Sequence, residues 1–570
     1  FKQKTASVDG WKSRTLAEMT SEGRRCLGKL WQATEAAGNW PEWERMAITY
    51  LIPKQSGEGT RPVTVFRSLF RWYGKLVARE AGIWAASTAS HEVNNRKGRE
   101  TLDATYREQA RAEARKRFGI ISVEVGKDVK KAFEQVSRWI LAIQCIGRKY
   151  PRRALWMSLM SYEWKRRMCL QGVLGKEIGS NIGIVAGSPF AVQELTVVMC
   201  KVIEHWRKGN PSGCISVHVD DIAISVWGRG IEEVQDKVLH AVKTLDEAVE
   251  GNLAMKFSKE KTYIVQSQAG VVDGLVKAKM LEGELCKSGG YTRRLGVDHN
   301  LEGEGKKEGL VAIGRRLKGM GRGIRLRRIA RGKRKGINLY RAGVMGAAMY
   351  GGELSMWSKV ELEKARKRAA GHSGLRGMGV HSALALFAEQ ASCDPGFRAA
   401  KDPICRIAKE VWLRQISNKR TKNELDQEDW EGIQGMIKSQ GDLLTSAEIW
   451  NLLQNTKKLA GEERAGAAKR GHRHGPSSVL SGALNMVGWK IINPCVWENR
   501  GGDEMNISKI SPAMLEKFLC RDWKTKQWEE AEPHIVGGVG ANRSVVEKLC
   551  QVWGKAKVLK AGIQWLAGAL

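Results

Sequence analysis

Apolar positions along the chain follow two spacings, one typical of strands and one typical of helices. Near the N-terminus, the strand-like runs AITYLIPK and RPVTVF flank the glycine-rich turn QSGEGT, which predicts a β-hairpin. Farther on, strand-like runs alternate with stretches of helical spacing. The strand-like runs are GIISVEV, CISVHVDDIAISV and TYIVQ, and the helical ones are AVQELTVVMCKVIEHW and IEEVQDKVLHAVKTLDEAVE. This alternation predicts a layer of sheet and helices, an α+β fold.

Four regions differ in pattern. Residues 1–118 predict helices and the hairpin, and residues 119–290 predict the alternating strands and helices. Residues 291–376 have the most concentrated basic charge, and residues 377–570 are predicted to be mainly helical, with no motif that assigns a function. In this last region, the stretch TKKLAGEERAGAAKRGHRHGPSS has the composition of a linker between two parts. Its GHRHG patch is interpreted as a basic loop, with metal or phosphate contact as the alternative.

Composition favours a polyanionic partner inside a cell. The 570 residues have a formal net charge of +34 and a pI of about 9.8, which indicates nucleic acid, with an anionic membrane surface as the alternative. The sequence has no run of 18 apolar residues and no signal peptide, so we expect no membrane partner and an intracellular, nuclear location. Eleven dispersed cysteines without zinc spacing suit reduced thiols. The chain starts at Phe1, and we expect it to be part of a longer product.

The basic charge is densest between Arg315 and Lys335. Eleven Lys or Arg and no acid lie in this segment, with apolar residues and glycines interleaved. A solvated helix face is one interpretation of such a segment. Because no Glu or Asp compensates the self-repulsion, binding to a phosphate backbone is the better one.

Two adjacent carboxylates, Asp220 and Asp221, interrupt the apolar run SVHVDDIAISVWG. An Asp pair in an ordinary turn would explain them structurally. A third carboxylate, Asp128, follows the strand-like run ISVEV where the pattern changes to helical. Carboxylates on neighbouring strands could hold two Mg²⁺ ions about 3.5–4 Å apart, as two-metal phosphoryl transfer requires. A metal site therefore explains buried charge better than a turn does.

Six motifs follow one another over about residues 40–353. They are WPEWERMAITYLIPKQSGEGTRPVTVFRSLFRWYGKLVARE, DVKKAFEQV, GIVAGSPFAVQEL, HVDD, FSKEKTYIV and RRLGVD. In this order and at these spacings, the chain resembles the reverse transcriptases of non-LTR retrotransposons and, more distantly, of group II introns. The resemblance implies a right-hand polymerase fold. Its fingers would lie in residues 1–118, its antiparallel palm sheet with helices in 119–290 and its helical thumb in 291–376.

The resemblance also implies an activity and the residues that perform it. The activity is RNA-directed DNA polymerisation, in which dNTPs are added to a DNA primer on an RNA template. Two Mg²⁺ ions, with Mn²⁺ as an alternative, would be held by Asp128, Asp220 and Asp221. Lys261 would act as a general acid for pyrophosphate. The dNTP would be contacted by Lys54, Arg61, Phe133, Gly187 and Ser188. Primer and template would be contacted by His218, Arg315, Arg316, Lys318, Arg322 and Arg325.

Each of these roles has a structural alternative. Lys54 and Arg61 match residues that contact the triphosphate, and a solvated hairpin is their alternative. Phe133 matches the aromatic residue that blocks a 2′-hydroxyl, and an ordinary core aromatic is its alternative. Gly187 and Ser188 match a loop under the template and incoming base, and their structural alternative is a plain turn. Lys261 is otherwise a surface lysine.

Several positions depart from the family's motifs. His218 replaces the usual Tyr or Phe, and Val185-Ala186 replaces Pro-Gln. Glu134 replaces Asp after Ala-Phe, and Ser258 replaces Asn. A nucleic-acid-binding relic without activity is therefore the alternative to an active polymerase, and a two-metal nuclease is a third hypothesis that lacks a further acidic cluster. The sequence does not indicate an oligomeric state.

Overall fold

The computed structural model describes residues 8–11, 13–54, 59–95, 99–302, 309–330, 336–373, 381–418, 443–465 and 473–534. The helices are α1 Ser13–Glu18, α2 Ser21–Ala37, α3 Ser68–Thr88, α4 Thr101–Lys116, α5 Ala132–Gln135, α6 Arg138–Gly147, α7 Arg152–Tyr162, α8 Ala191–Gly209, α9 Ile231–Asp246, α10 Asp273–Lys277, α11 Leu310–Ala330, α12 Gly336–Leu339, α13 Gly346–Ala348, α14 Lys359–Ala370, α15 Ser382–Phe387, α16 Pro395–Asn418, α17 Ser446–Arg464, α18 Pro476–Val487 and α19 Pro512–Ala531. The strands are β1 Ala47–Pro53, β2 Thr60–Phe66, β3 Ile121–Asp128, β4 Arg166–Leu170, β5 Val173–Ile178, β6 Cys214–His218, β7 Asp221–Gly228, β8 Tyr263–Gln266, β9 Glu284–Leu285, β10 Thr292–Arg294, β11 Val297–His299, β12 Lys490–Ile491, β13 Val496–Glu498 and β14 Glu504–Asn506.

The strands form a mixed α and β architecture with four sheets. A five-stranded sheet has the order β6-β7-β3-β8-β9, and its first four strands are antiparallel neighbours. A four-stranded sheet has the order β2-β1-β4-β5, in which β1 and β2 form the predicted hairpin and β1 runs parallel to β4. The pair β10-β11 and the small sheet β12-β13-β14 complete the set. The strands predicted from the apolar runs are confirmed.

The two faces of the five-stranded sheet have different chemistry. On one face, apolar side chains such as Val123 and Ile222 belong to a large core that also contains residues of α8 and α9. On the other face lie polar residues of β3, among them Ser122 and Glu124, and both are buried. Strand side chains alternate between faces, so β3 is apolar on the helix side and polar on the other.

Helix α4 is buried along almost its whole length although its sequence is rich in charge. Arg107 donates to Glu410 of α16 at 2.8 and 3.0 Å, and Arg406 of α16 donates to Asp103. Apolar residues of α4 share a core with α16, α17, α18 and α19. The described part of residues 377–570 therefore packs on α4 and forms a common core with it.

The linker-like stretch behaves differently from its prediction. Most of its first half lies in α17, and Pro476 begins α18, which packs against α17. Residues 466–472, including His472, lie outside the described residues. His474 is buried, and burial lowers the pKa of its imidazole to about 3, so this residue is neutral and not part of a basic loop. A glycine-rich, charged composition does not distinguish a linker from two packed helices such as α17 and α18.

No described helix is long and apolar enough to cross a membrane.

Glu194 of α8 is a fully buried acid that connects two helices and a loop. It accepts hydrogen bonds from the hydroxyls of Ser158 and Tyr162 of α7. The Tyr162 hydroxyl also lies 3.3 Å from the Ser188 hydroxyl. Burial raises the pKa of the Glu194 carboxyl from 4.5 to about 7, although the two hydrogen bonds act in the opposite direction. Folding therefore favours the protonated acid at mildly acidic pH.

We expect stability to depend on pH through Glu194. Because its pKa is higher in the folded state, the unfolded state loses the proton first, and stability falls as pH rises from about 4.5 to 7. Glu194→Gln removes this loss. The free energy of unfolding of the variant minus that of wild type should therefore increase by about 2 kcal/mol from pH 5 to pH 8. Urea unfolding at both pH values measures the change. Glu232→Gln, at an exposed glutamate of α9, serves as the control. A stability difference between Glu194→Gln and wild type that is the same at both pH values would contradict the raised pKa of Glu194.

Candidate active site

Three side chains lie in a row at one end of the five-stranded sheet. Asp128 is directly opposite Asp221 in the β3-β7 pair, and Asp221 is directly opposite His218 in the β6-β7 pair. Directly opposed residues of antiparallel strands project from the same face of the sheet. The register therefore brings Asp128, Asp221 and His218 together.

Asp220 lies in the two-residue turn that joins β6 to β7. The first turn residue, Val219, has a φ of 62°, a conformation that a β-branched residue adopts only under strain. Such a positive φ matches the primed turns that fit the twist of a hairpin. The carbonyl of Asp220 accepts a hydrogen bond from Val129 N–H at 2.9 Å. The turn is thereby held beside the end of β3, where Asp128 lies.

The carboxylates repel one another and depend on cations from other elements. Burial raises the pKa of Asp220, and the charge of Asp128 raises it further, whereas Lys261 and Arg61 lower it. Burial raises the pKa of Asp221 to about 6. Arg294 lowers that pKa, while Asp128 and Asp220 raise it. The cluster thus concentrates negative charge in a poorly solvated place, a setting that favours cation binding.

Lys261 supplies the direct ion pair of the cluster. Its Nζ lies 2.6 Å from Asp128 Oδ2, and its side chain is largely exposed. The short 3₁₀ turn Lys259–Lys261 is positioned by Ser258 N–H, which donates to the Asp128 carbonyl at 2.8 Å. The FSKEK motif is therefore fixed to the end of β3, next to the aspartates.

The β1-β2 hairpin approaches the same end of the sheet. Arg61 of β2 is exposed, and its charge acts on Asp220. Lys54 follows β1 and is also exposed, and its N–H donates to the Gly59 carbonyl at 3.1 Å. No described hydrogen bond or ion pair joins Lys54 to the aspartates. The structure thus brings Arg61 into the electrostatic reach of the cluster.

Gly187 lies in the loop before α8 and packs on this hairpin at a point where only glycine fits. Its φ is +110°, and an added Cβ would lie 2.2 Å from the Thr64 carbonyl oxygen of β2. Thr64 N–H donates to the Ala186 carbonyl at 2.8 Å. Ser188 is buried, and its hydroxyl lies near Tyr162. Phe133 is half-buried against the core, and its carbonyl accepts from Ile184 N–H at 2.8 Å.

The predicted primer and template residues of α11 divide between its two faces. Lys318, Arg322 and Arg325 are exposed. Arg315 is half-buried, donates to the Gly296 carbonyl at 2.8 Å and lies over the Tyr350 ring. Arg316 is only 2% exposed, because its guanidinium bonds Glu361 at 3.1 Å and the Met356 carbonyl at 3.0 Å. The structure therefore places Arg316 inside the protein, away from the surface that a phosphate could reach.

The donor set at the aspartates suits a hard cation. Among the described residues, no group of three or more His, Cys, Asp and Glu side chains converges to hold a metal. Mg²⁺ usually takes one or two protein carboxylates and completes its shell with water and substrate phosphates. The mutually repelling pair Asp128 and Asp220 matches that requirement, with Asp221 beside it.

Three buried residues on the same side of the sheet were not predicted from the sequence: Glu124, Arg294 and His299. Arg294 Nη1 donates to Glu124 Oε2 at 2.5 Å, and His299 Nε2 lies 3.0 Å from Glu124 Oε1. One signal was available, because Glu124 is the charged residue of the strand-like run ISVEV. A charge in a strand buried on both faces requires a buried partner.

Comparisons with known proteins give weak likenesses only. No family model matches the chain, and no curated protein matches it. Among solved structures, apo telomerase from Candida tropicalis, truncated from the C-terminal domain, aligns with 47% of this chain and 59% of that chain at 13% identity and a TM-score of 0.30. Telomerase from Candida tropicalis with the TWJ fragment of telomeric RNA aligns with 50% of this chain and 48% of that chain at 12% identity and a TM-score of 0.32. The chain thus spans about half of the telomerases it aligns with, and function has to be argued from the site.

Replacing Gly187 tests whether the loop before α8 packs on β2. Gly187→Ala should lower the free energy of unfolding by about 2–4 kcal/mol, because the methyl group meets backbone and the φ is unfavourable. Urea unfolding measures the loss. Gly179→Ala is the matched control, since nothing lies within 4 Å of its added Cβ. Equal stability of the two variants would show that the loop does not pack on β2 as described.

Proposed function

We propose that this chain is an RNA-directed DNA polymerase of the reverse transcriptase type, from a retroelement of the non-LTR class. The supporting observation is the register that sets Asp128 opposite Asp221, with Asp220 in the adjoining turn and the charges of Lys261 and Arg61 acting on the cluster. In this proposal the five-stranded sheet is the palm, the β1-β2 hairpin belongs to the fingers, and α11 is a thumb helix.

The residues have distinct tasks in the proposed reaction. Two Mg²⁺ ions, when bound, supply activation of the primer 3′-hydroxyl and neutralisation of the leaving pyrophosphate. Asp128 and Asp220 would hold these ions, and Asp221 lies beside the two aspartates. Arg61 would bind triphosphate oxygens through its planar fork. Lys261 Nζ, which bonds Asp128 in this structure, is exposed and would donate a proton to the pyrophosphate oxygen.

The remaining contacts concern the sugar and the duplex. Phe133 would lie under the deoxyribose and bar a 2′-hydroxyl. Lys318, Arg322 and Arg325 present a basic surface on α11, which suits the phosphate backbone of a template–primer duplex. Such contacts position the duplex without reading its sequence, so affinity should fall steeply with salt.

Primer extension on an RNA template tests the activity. Wild type should add dNTPs in the presence of Mg²⁺ or Mn²⁺, and Asp220→Asn should lower the rate by on the order of a hundredfold or more, because it removes a metal-holding charge. Asp236→Asn, at an exposed position on α9, should leave the rate unchanged. Duplex binding without extension under either metal would favour the inactive relic. Extension that persists in Asp220→Asn would overturn the assignment of the cluster.

Sugar selection provides a separate test of Phe133. Phe133→Ala should reduce the preference for dGTP over GTP by roughly tenfold or more, because the barrier to the 2′-hydroxyl is steric. The ratio of kcat/KM values for the two nucleotides measures the preference. Phe118→Ala serves as the control, since Phe118 is an exposed phenylalanine beyond the opposite end of β3. An unchanged ratio would identify Phe133 as a core residue only.

A further inference from the structure

Glu124 is a buried carboxylate in the middle of the strand that ends at Asp128. It is 0% exposed. Arg294 Nη1 donates to Glu124 Oε2 at 2.5 Å, and the Tyr263 hydroxyl donates to Oε1 at 3.0 Å. His299 Nε2 also lies 3.0 Å from Oε1. Burial alone would raise the pKa of this carboxyl, but Arg294 and His299 outweigh burial and lower the pKa to about 2. Glu124 is therefore ionised inside the protein.

Two of these partners belong to the β10-β11 hairpin. Arg294 ends β10, and His299 ends β11, where it is paired with Thr292. Gln109 Nε2 lies 3.1 Å from His299 Nδ1, so that this nitrogen accepts and Nε2–H faces Glu124. The hairpin is thus attached to the central strand by two contacts on a single carboxylate.

The same hairpin fixes the beginning of helix α11. The Asp298 carboxylate accepts hydrogen bonds from Val311 N–H at 3.1 Å and Ala312 N–H at 2.7 Å, which caps the helix. An added Cβ at Gly309 would lie 2.1 Å from Asp298 Cγ, so the chain approaches closely there. Arg315, one turn into the helix, donates to the Gly296 carbonyl at 2.8 Å. These contacts attach the first turns of α11 to the β10-β11 hairpin.

A short chain of contacts then connects the catalytic strand to the basic helix. Glu124 and Asp128 project from the same face of β3, four residues or about 13 Å apart. From Glu124 the path runs through Arg294 and His299 to the hairpin, and through Asp298 to α11. We propose that Glu124 is a positioning residue that fixes α11 relative to the aspartate cluster by holding the β10-β11 hairpin. The proposal rests on the proposed function, in which α11 grips the template–primer duplex.

The energetics of a buried ion pair distinguish this role from simple stabilisation. Burying two charges costs about as much as their attraction returns, but removal of one partner leaves the other charge buried and unpaired. A loss of stability in a Glu124 variant therefore does not by itself distinguish the two roles. If Glu124 only stabilised the core, its loss would reduce the amount of active protein. If it sets the position of α11, its loss weakens the grip on the duplex while the aspartate cluster keeps its chemistry.

The test compares duplex affinity with the rate at saturation. Glu124→Gln keeps the shape and removes the charge. In the full chain it should raise the Kd for an RNA–DNA template–primer, measured by fluorescence anisotropy at fixed salt, by roughly tenfold. None of the three aspartates bonds Glu124 among the described contacts, although its charge acts on Asp221. The factor by which Kd rises should therefore exceed the factor by which extension at saturating duplex falls. Glu44→Gln, at another 0% exposed glutamate, should leave the Kd unchanged, because Glu44 bonds Phe70 N–H and has no described contact with β10, β11 or α11.

A second variant keeps the proposal testable if Glu124→Gln does not fold. Asp298→Ala removes the cap of α11 and leaves the Glu124 contacts intact. It should weaken duplex binding by a similar factor. Where Glu124→Gln folds, the double variant should bind no worse than either single one, since both substitutions break the same path. Additive losses would show two independent effects and would contradict the path.

The outcomes separate this inference from the proposed activity. Unchanged Kd with a reduced rate at saturation overturns the positioning role and leaves the polymerase standing. A raised Kd in a chain that binds the duplex but never extends a primer supports the positioning role and overturns the polymerase. A wild-type chain that does not bind the duplex overturns both.

Discussion

The register between β3 and β7 is the constraint on which the site depends. The pairing runs without a break from Ile121 opposite Gly228 to Asp128 opposite Asp221. Because side chains alternate, a slip by one residue would turn the carboxylate of Asp128 to the helix side of the sheet. Apolar residues of β3 face α8 and α9, and that packing excludes the slipped register. The approach of Asp128 to Asp221 is therefore set by burial along the whole strand.

Close backbone approaches then fix the other parts of the site to this sheet. An added Cβ at Gly126 of β3 would lie 2.1 Å from the Tyr263 ring, and one at Gly187 would overlap Thr64 of the β1-β2 hairpin. At these two positions the missing side chain is filled by a neighbour, so the contact is rigid as well as close. The first contact packs β8 closely on β3 within the five-stranded sheet, and the second packs the hairpin that carries Arg61 on the loop before α8.

The parts that sequence could predict are those that local pattern determines. The strands that carry Asp128 and Asp221, with Asp220 in the turn between β6 and β7, follow from short apolar runs, and the order of the motifs indicated that they would meet. The contacts of Glu124 with Arg294 could not be predicted, because the two residues are separated by 170 positions and neither lies in a periodic pattern that points to the other. For the same reason Arg316 was expected at the surface, whereas Glu361 and two carbonyls hold it inside. Helical spacing reveals which residues share a face but not which partner that face meets.

Helix α4 shows how the region without a motif takes part in the site. Its residues Arg107 and Gln109 are one turn or less apart and point to different neighbours: Arg107 bonds Glu410 of α16, and Gln109 contacts His299, the partner of Glu124. Breaking a buried ion pair leaves an uncompensated charge, which costs several kcal/mol, about 3–5 in typical cases. The buried Arg107–Glu410 and Arg406–Asp103 pairs therefore hold α16 against the helix that contacts His299. The C-terminal helices are thus connected through α4 to the geometry around Glu124, although no residue in them reaches the aspartates among the contacts described.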